Sequence, residues 1–280
     1  MKKKINVLVV GAPRSGTTLV AGLLSAGKKA SPGLPECTFL TQIIQHYYNL
    51  IHYSDQQRFA AYAINKETLT KVYRDMIDSM LSIVRSHFKN VDYQYLILKD
   101  PELTNIVDLV PTFFGEDSKI VCVIRDPRAV ISSVLKVERK KKKIILSRWG
   151  KDSRFKIISE FIAQFLRERS IFSDYFVYYW RIQNSKLYKE GKIHIARYEK
   201  IVELEDEEFN SLEKYLGFKI SREGFGEMAF GFDKKDPTYS NGYGGKIQKR
   251  KSNFRKILTK RQIKKIEKIF SGLNNRYGWW

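Results

Sequence analysis

The chain has 280 residues, enough to bury a sizeable core in one α/β domain without staples. Its 51 Lys and Arg outnumber 30 Asp and Glu, giving a formal net charge of +21 that favours polyanionic partners such as nucleic acid, anionic membrane, acidic glycan or a phosphorylated small molecule, without choosing among them. Two cysteines, Cys37 and Cys122, exclude a disulfide framework, and four histidines in no ligand spacing predict no metal.

In chain order, Ile5–Val10 predicts a strand that follows the basic start Met1–Lys4. This apolar run is too short for a secretory signal and lacks a small-residue cleavage site. No stretch approaches the roughly 18 apolar residues of a membrane span, so no transmembrane segment is expected. The strand runs into Gly11–Thr18 and then a helix over Thr17–Ala26, stopped by Gly27. Phe39, Ile43, Tyr47 and Leu50 predict one helical face, and Leu69, Tyr73, Met76, Met80 and Ile83 another. Further strands are expected at Tyr95–Leu98, Lys119–Ile124 and Lys192–Ala196, with Cys122 as a small core residue of its strand. Ile157–Leu187 reads as helices covering the sheet, and Phe209, Leu212, Tyr215 and Leu216 as a helix closed by Gly217. Thr259 and Gln262 form a capping-box pair before a stripe of Ile263, Ile266, Ile269 or Phe270, and Leu273. Lys136–Lys143 and Asp233–Lys251 read as loops, the first strongly basic, the second rich in Gly, Lys and Tyr. Strands alternating with helices predict an α/β fold, a doubly wound parallel sheet of four to five strands flanked by helices, as one domain over 1–280.

The loop Gly11-Ala12-Pro13-Arg14-Ser15-Gly16-Thr17-Thr18 carries the chemistry. It follows a strand and opens a helix, where backbone N–H groups and the helix dipole favour an anion. Glycines permit close approach, Ser15, Thr17 and Thr18 add hydroxyls, and Arg14 adds a fork of charged donors. The spacing approaches G-x-x-x-x-G-K-[ST], but Thr17 stands where the phosphate-binding lysine of an ordinary NTPase belongs. Three further features end predicted strands: Lys99-Asp100-Pro101, Arg125-Asp126-Pro127 with Ser133 eight residues beyond Arg125, and Arg197-Tyr198-Glu199. Ligands of open α/β sheets bind outside the carboxyl ends of strands, so the four loops are expected to meet on one rim.

Pro13-Arg14-Ser15-Gly16-Thr17-Thr18-Leu19 resembles the phosphosulfate-binding loop of sulfotransferases that use 3′-phosphoadenosine 5′-phosphosulfate (PAPS). With Arg rather than Lys it is similar to the branch of tyrosylprotein sulfotransferases and their bacterial relatives, and it implies a P-loop-like sulfotransferase fold. By that resemblance Arg14, Ser15, Gly16, Thr17 and Thr18 hold the 5′-phosphosulfate, Arg125 and Ser133 the 3′-phosphate, and Tyr198 lies near the nucleotide. In that reading Arg14 and Lys99 neutralise charge developing on the bridging oxygen, and Lys99 stabilises negative charge on the transferring sulfuryl group or the acceptor. The late basic loop before the capped helix resembles one that closes over the nucleotide, with Lys249 and Arg250 as contacts. The resemblance places a Glu base in the region of Pro35-Glu36-Cys37-Thr38, which makes Glu36 the candidate; His46 and His52 match the histidine-using branch poorly. It implies PAPS as donor, adenosine 3′,5′-bisphosphate (PAP) as product, no metal, and a hydroxyl acceptor on a glycan, a peptide tyrosine or a small alcohol or phenol. The family's Golgi members are membrane-anchored; the lack of an anchor here suggests a cytoplasmic enzyme. Two rival readings stand beside it: a P-loop kinase, with Asp100 or Asp126 holding Mg²⁺, and a non-enzymatic polyanion or nucleic-acid binder driven by charge. The run Lys136–Lys143 suits a solvated face, a site recruiting an acidic acceptor, or a nucleic-acid or membrane contact, although no specific nucleic-acid module is visible.

Overall fold

β-Branched and apolar runs form four strands, β1 (Ile5–Val10), β2 (Tyr95–Lys99), β3 (Lys119–Ile124) and β4 (Ile193–Arg197). In the computed structural model, which describes residues 4–53, 56–148, 170–222, 247 and 253–280, they make one sheet ordered β2-β1-β3-β4. Every pairing is parallel, with Val9 opposite Lys99 and Val121, and Ile124 opposite Arg197. The chain moves from β1 outward to β2 and then back across to β3. The strand order therefore reverses between β1 and β3, the switch point where an open α/β sheet leaves a crevice.

Side chains alternate across the pleat, as a period of two requires. Leu8, Val10, Leu96, Leu98, Ile120 and Cys122 face one core, and Val7, Val9, Ile97, Val121 and Val123 the other. Burial pushes the Cys122 thiol up to about 12, in keeping with a packing role. The second core is covered by α1 (Thr17–Ser25) and α10 (Asp206–Leu216), the latter ended by left-handed Gly217. The first core is covered by α2 (Thr38–Tyr53), α4 (Lys66–His87), the 3₁₀ segment Pro101–Leu109, α5 (Val110–Phe114), α6 (Pro127–Arg148), α7 (residues 170–184) and α11 (Lys260–Ile269). Short helices α3 (Gln56–Ala60), α8 (Lys186–Lys189), α9 (Tyr198–Val202) and α12 (Ser271–Tyr277) complete the described chain. The capping box of α11 forms as expected: Thr259 accepts from the Gln262 N–H, and Gln262 from the Thr259 N–H.

Three expectations need correction. Lys136–Lys143 is not a loop but lies inside α6. Pro127 begins that helix at a position where its missing N–H costs nothing, and lysine is a good helix former, so the run simply continues it. The α2 face is shifted: Leu40, Ile44 and Tyr47 are buried, while Phe39 is 47% exposed. On α4, Tyr73, Ile77 and Leu81 are buried, whereas Ile83 is 70% exposed. Both helices offer two apolar rows at helical spacing, and packing of α2 against α4 and the 3₁₀ segment selects one of them. Of Ile157–Leu187, residues 170–184 are helical as expected and 157–169 lie outside the described residues. No described helix is long and apolar enough to cross a membrane.

Candidate active site

Because the strands are parallel, their carboxyl ends share one edge of the sheet, and the four loops singled out in the sequence meet there. The first, Gly11–Gly16, joins β1 to α1 at the switch point. Gly11 and Gly16 have φ of 134° and 108°, and Arg14 has φ of 72°, a left-handed backbone uncommon for a residue with a side chain. Space also requires the glycines: a Cβ on Gly11 would stand 2.4 Å from the Val123 carbonyl oxygen, and one on Gly16 would stand 2.3 Å from Cδ2 of Tyr198. The loop is braced by Thr104, whose Oγ1 accepts from the Gly11 N–H at 2.8 Å. The N-cap of α1 is Gly16, which offers no side chain to cap the helix, and the helix dipole there favours an anion.

Arg125 leaves β3 and reaches back over this loop. Its Nη1 donates to the Arg14 carbonyl at 3.3 Å, and its guanidinium lies 4.0 Å from the centre of the Tyr198 ring. Ser133, on the second turn of α6, accepts from Nε of Arg14 at 3.2 Å. The bond of Ser133 is thus to Arg14 rather than to Arg125, because α6 starts at Pro127 and carries Ser133 along the loop. Tyr198 begins α9, with Glu199 half-buried beside it; desolvation pushes that carboxyl above its usual range, while it accepts from the Asp126 N–H at 3.0 Å and from Trp279 Nε1 at 3.3 Å.

Lys99 and Glu36 come together through backbone pairing. The segment after α1 runs parallel to the outer edge of β2, with Ala30 bridged to Tyr95 and Glu36 to Lys99. The Ser31 N–H donates to the Tyr95 carbonyl at 2.8 Å and the Cys37 N–H to the Lys99 carbonyl at 2.9 Å. The Lys99 ammonium, 2% exposed, donates to Glu36 Oε1 at 3.1 Å and to Thr18 Oγ1 at 2.9 Å. One buried cation therefore joins the candidate base to the glycine loop. Glu36 keeps 36% of its side-chain surface in solvent, so the carboxylate faces outward from a fixed point. The histidines are elsewhere on α2: His46 Nδ1 is hydrogen-bonded to the Tyr73 hydroxyl, and the His52 ring meets Tyr48 edge-on.

The residues present fit a phosphosulfate. Ser15 Oγ and Arg125 Nε are buried with no partner among the described residues, two donors on one rim that an anion's oxygens would satisfy. Arg14, Ser15, Gly16, Thr17, Thr18, Arg125, Ser133 and Tyr198 share that rim. Lys249 and Arg250 lie outside the described residues, as does the Asp233–Lys251 segment apart from residue 247. Asp126 is engaged otherwise: both its carboxylate oxygens accept from Arg128, which also pairs with Glu267 at 2.9 Å. Thr104 and three tyrosines of α7 escaped the sequence reading. The spacing of Tyr175, Tyr178 and Tyr179 places them on one helical face, but nothing local says that this face meets the loops.

The sequence model of the sulfotransferase domain matches residues 4–275. A search of curated proteins finds no match. Among solved structures, the sulfotransferase domain from the curacin biosynthetic pathway is similar, with a TM-score of 0.58 at 17% identity, 98% of this chain and 99% of that one being covered. The sulfotransferase domain of the Synechococcus PCC 7002 olefin synthase gives a TM-score of 0.55 at 14% identity, covering 97% and 96%. Sulfotransferase STF9 from Mycobacterium avium gives 0.52 at 10% identity, covering 99% of this chain and 77% of that one. These likenesses establish the fold, a parallel α/β sheet flanked by helices. With a glycine loop at its switch point and a family match running almost end to end, the chain belongs to the sulfotransferase family.

Proposed function

We propose that this protein transfers a sulfuryl group from PAPS to a hydroxyl acceptor, with Glu36 as the base. The observation that carries the reading is the ammonium of Lys99, which bonds Thr18 of the glycine loop and Glu36 at once. The donor supplies a sulfuryl group on a phosphate oxygen, so that an S–O bond to that oxygen breaks as one to the acceptor forms. Arg14, Ser15, Gly16, Thr17 and Thr18 hold the phosphosulfate end, using N–H groups at the start of α1, hydroxyls and the guanidinium. Arg125 and Ser133 hold the 3′-phosphate, Tyr198 keeps the Arg125 guanidinium in place by stacking, and the resemblance adds Lys249 and Arg250 as nucleotide contacts.

Glu36 takes the proton of the acceptor hydroxyl, which is a poor nucleophile until it loses it. Lys99 fixes the position of that carboxylate and places positive charge where negative charge builds on the leaving oxygen. Arg14 adds a second cation on the same side. An alcohol or phenol carried by a glycan, a peptide or a small molecule fits this chemistry, and the strong positive charge suits an acidic carrier.

The test measures sulfate transfer from labelled PAPS to alcohols, phenols, glycans and tyrosine peptides, with calorimetric titration of adenosine 3′,5′-bisphosphate alongside. Transfer to one acceptor class and binding of the bisphosphate are expected. Failure of both overturns the reading, and stabilisation by ATP with Mg²⁺ but not by the bisphosphate would favour a kinase instead.

A further inference from the structure

One turn of α7 fastens three of the four loops at the carboxyl edge of the sheet. The Tyr175 hydroxyl donates to the Pro13 carbonyl, in the loop after β1. The Tyr178 hydroxyl donates to Glu102 Oε1 at 2.5 Å, just beyond the Lys99-Asp100-Pro101 turn after β2. The Tyr179 hydroxyl donates to the Arg125 carbonyl at 2.8 Å, after β3. All three side chains are buried in the first core, 3%, 9% and 6% exposed.

These bonds act on backbone direction. A peptide unit is planar, so holding its carbonyl from one side aims the next N–H to the opposite side. Tyr175 therefore sets the Arg14 N–H and the start of the left-handed Arg14 conformation. Tyr179 sets the Asp126 N–H, which donates to Glu199 as that geometry demands. Burial raises the pKa of each phenol above its ordinary value, so each remains a hydrogen-bond donor at neutral pH.

We propose that Tyr175 and Tyr179 are positioning residues for the donor site, holding the Pro13-Arg14 and Arg125-Asp126 peptides in register so that Arg14 and Arg125 converge on one nucleotide. This rests on the donor reading given above. Neither tyrosine touches the reacting atoms; each acts through the backbone of a residue that binds. Tyr178 plays the equivalent part for the loop that carries Lys99.

The experiment compares Tyr175→Phe and Tyr179→Phe with Tyr215→Phe. Half-buried Tyr215 is a control at the opposite edge of the sheet, where its hydroxyl accepts from the Ile120 N–H and donates to the Lys192 carbonyl, both at 2.8 Å. Calorimetry gives the Kd for adenosine 3′,5′-bisphosphate, a melting curve gives Tm, and steady-state assays separate the KM for PAPS from kcat. All three variants are expected to lose a few degrees of Tm. Tyr175→Phe and Tyr179→Phe are expected to raise Kd and the PAPS KM about tenfold with a smaller change in kcat, and Tyr215→Phe to leave Kd unchanged. A wild-type Kd in both α7 variants, with Tm lowered as in the control, overturns this inference alone. Absence of binding by the wild-type protein overturns the donor reading and this inference with it. Should one α7 variant fail to fold, the other decides.

Discussion

Arg14 Nε donates to Ser133 Oγ at 3.2 Å, joining residues 119 positions apart and tying the glycine loop to the second turn of α6. The bond fixes an otherwise exposed guanidinium whose backbone sits in the left-handed region with φ of 72°. Side chain and backbone make opposite contributions here. Left-handed geometry costs an L-residue about 1–2 kcal/mol, while the guanidinium serves the anion site. Arg14→Gly is therefore expected to be at least as stable as wild type in a denaturant titration, while bisphosphate affinity falls about 10- to 100-fold. Ser133→Ala, which leaves the backbone alone, should weaken affinity about fivefold. A Gly variant clearly less stable than wild type would show that the loop is not strained.

Gly16 lies directly against the ring of Tyr198. A Cβ on Gly16 would fall 2.3 Å from the Tyr198 ring, and the φ of 108° strains any side chain there. Gly16→Ala is expected to cost about 2–4 kcal/mol and to displace Tyr198 from Arg125. Adding Tyr198→Ala should recover the steric part but not the backbone part. A double-mutant cycle in urea checks this, and strict additivity would refute the contact.

Glu36 is exposed enough to reach an acceptor, yet anchored by Lys99. Glu36→Gln is expected to lower kcat about 10²- to 10⁴-fold with little change in bisphosphate Kd, because the amide keeps its place but takes no proton. Single-turnover sulfate transfer measures the first quantity and calorimetry the second. An equal fall in both would make Glu36 a binding residue rather than a base.

Asp100 gives a pH dependence of stability. It is 2% exposed, its Oδ1 accepts from the Glu102 N–H at 3.0 Å, and its Oδ2 has no hydrogen-bond partner among the described residues. Burial raises its carboxyl above the usual range. The native state then binds this proton more tightly than the unfolded state does. The stabilisation from Asp100 is present below the ordinary carboxylate range and is lost as pH rises through the raised native value. Asp100→Asn, which retains the acceptor for Glu102, should stabilise the protein near pH 8 and lose that advantage below about pH 4. Urea midpoints across that range decide it, and a pH-independent difference would rule out the charge as its cause.

Much of the fold was legible because its cues are local. Three strands have the predicted start, β4 begins one residue late, and Gly217 and the Thr259–Gln262 pair end and begin their helices as read. Where two local answers compete, local reading fails. Apolar rows at Phe39 and Leu40 both satisfy helical spacing, and only the neighbours of α2 choose between them. The run Lys136–Lys143 looked like a loop because it is charged, but charge says nothing against a helix that has already begun at Pro127.

The candidate site divides the same way. The sequence by itself determined the glycine loop and the placing of Lys99, Arg125 and Tyr198 at strand ends, because strand, turn and helix start are set by residues within a few positions of one another. Tertiary structure alone decided that Lys99 bonds both Thr18 and Glu36, that Ser133 serves Arg14, and that α7 tyrosines hold the loops. Those contacts join segments tens to more than a hundred residues apart. They form only when parallel pairing brings the four strand ends to one edge and the packed core presses α7 against it.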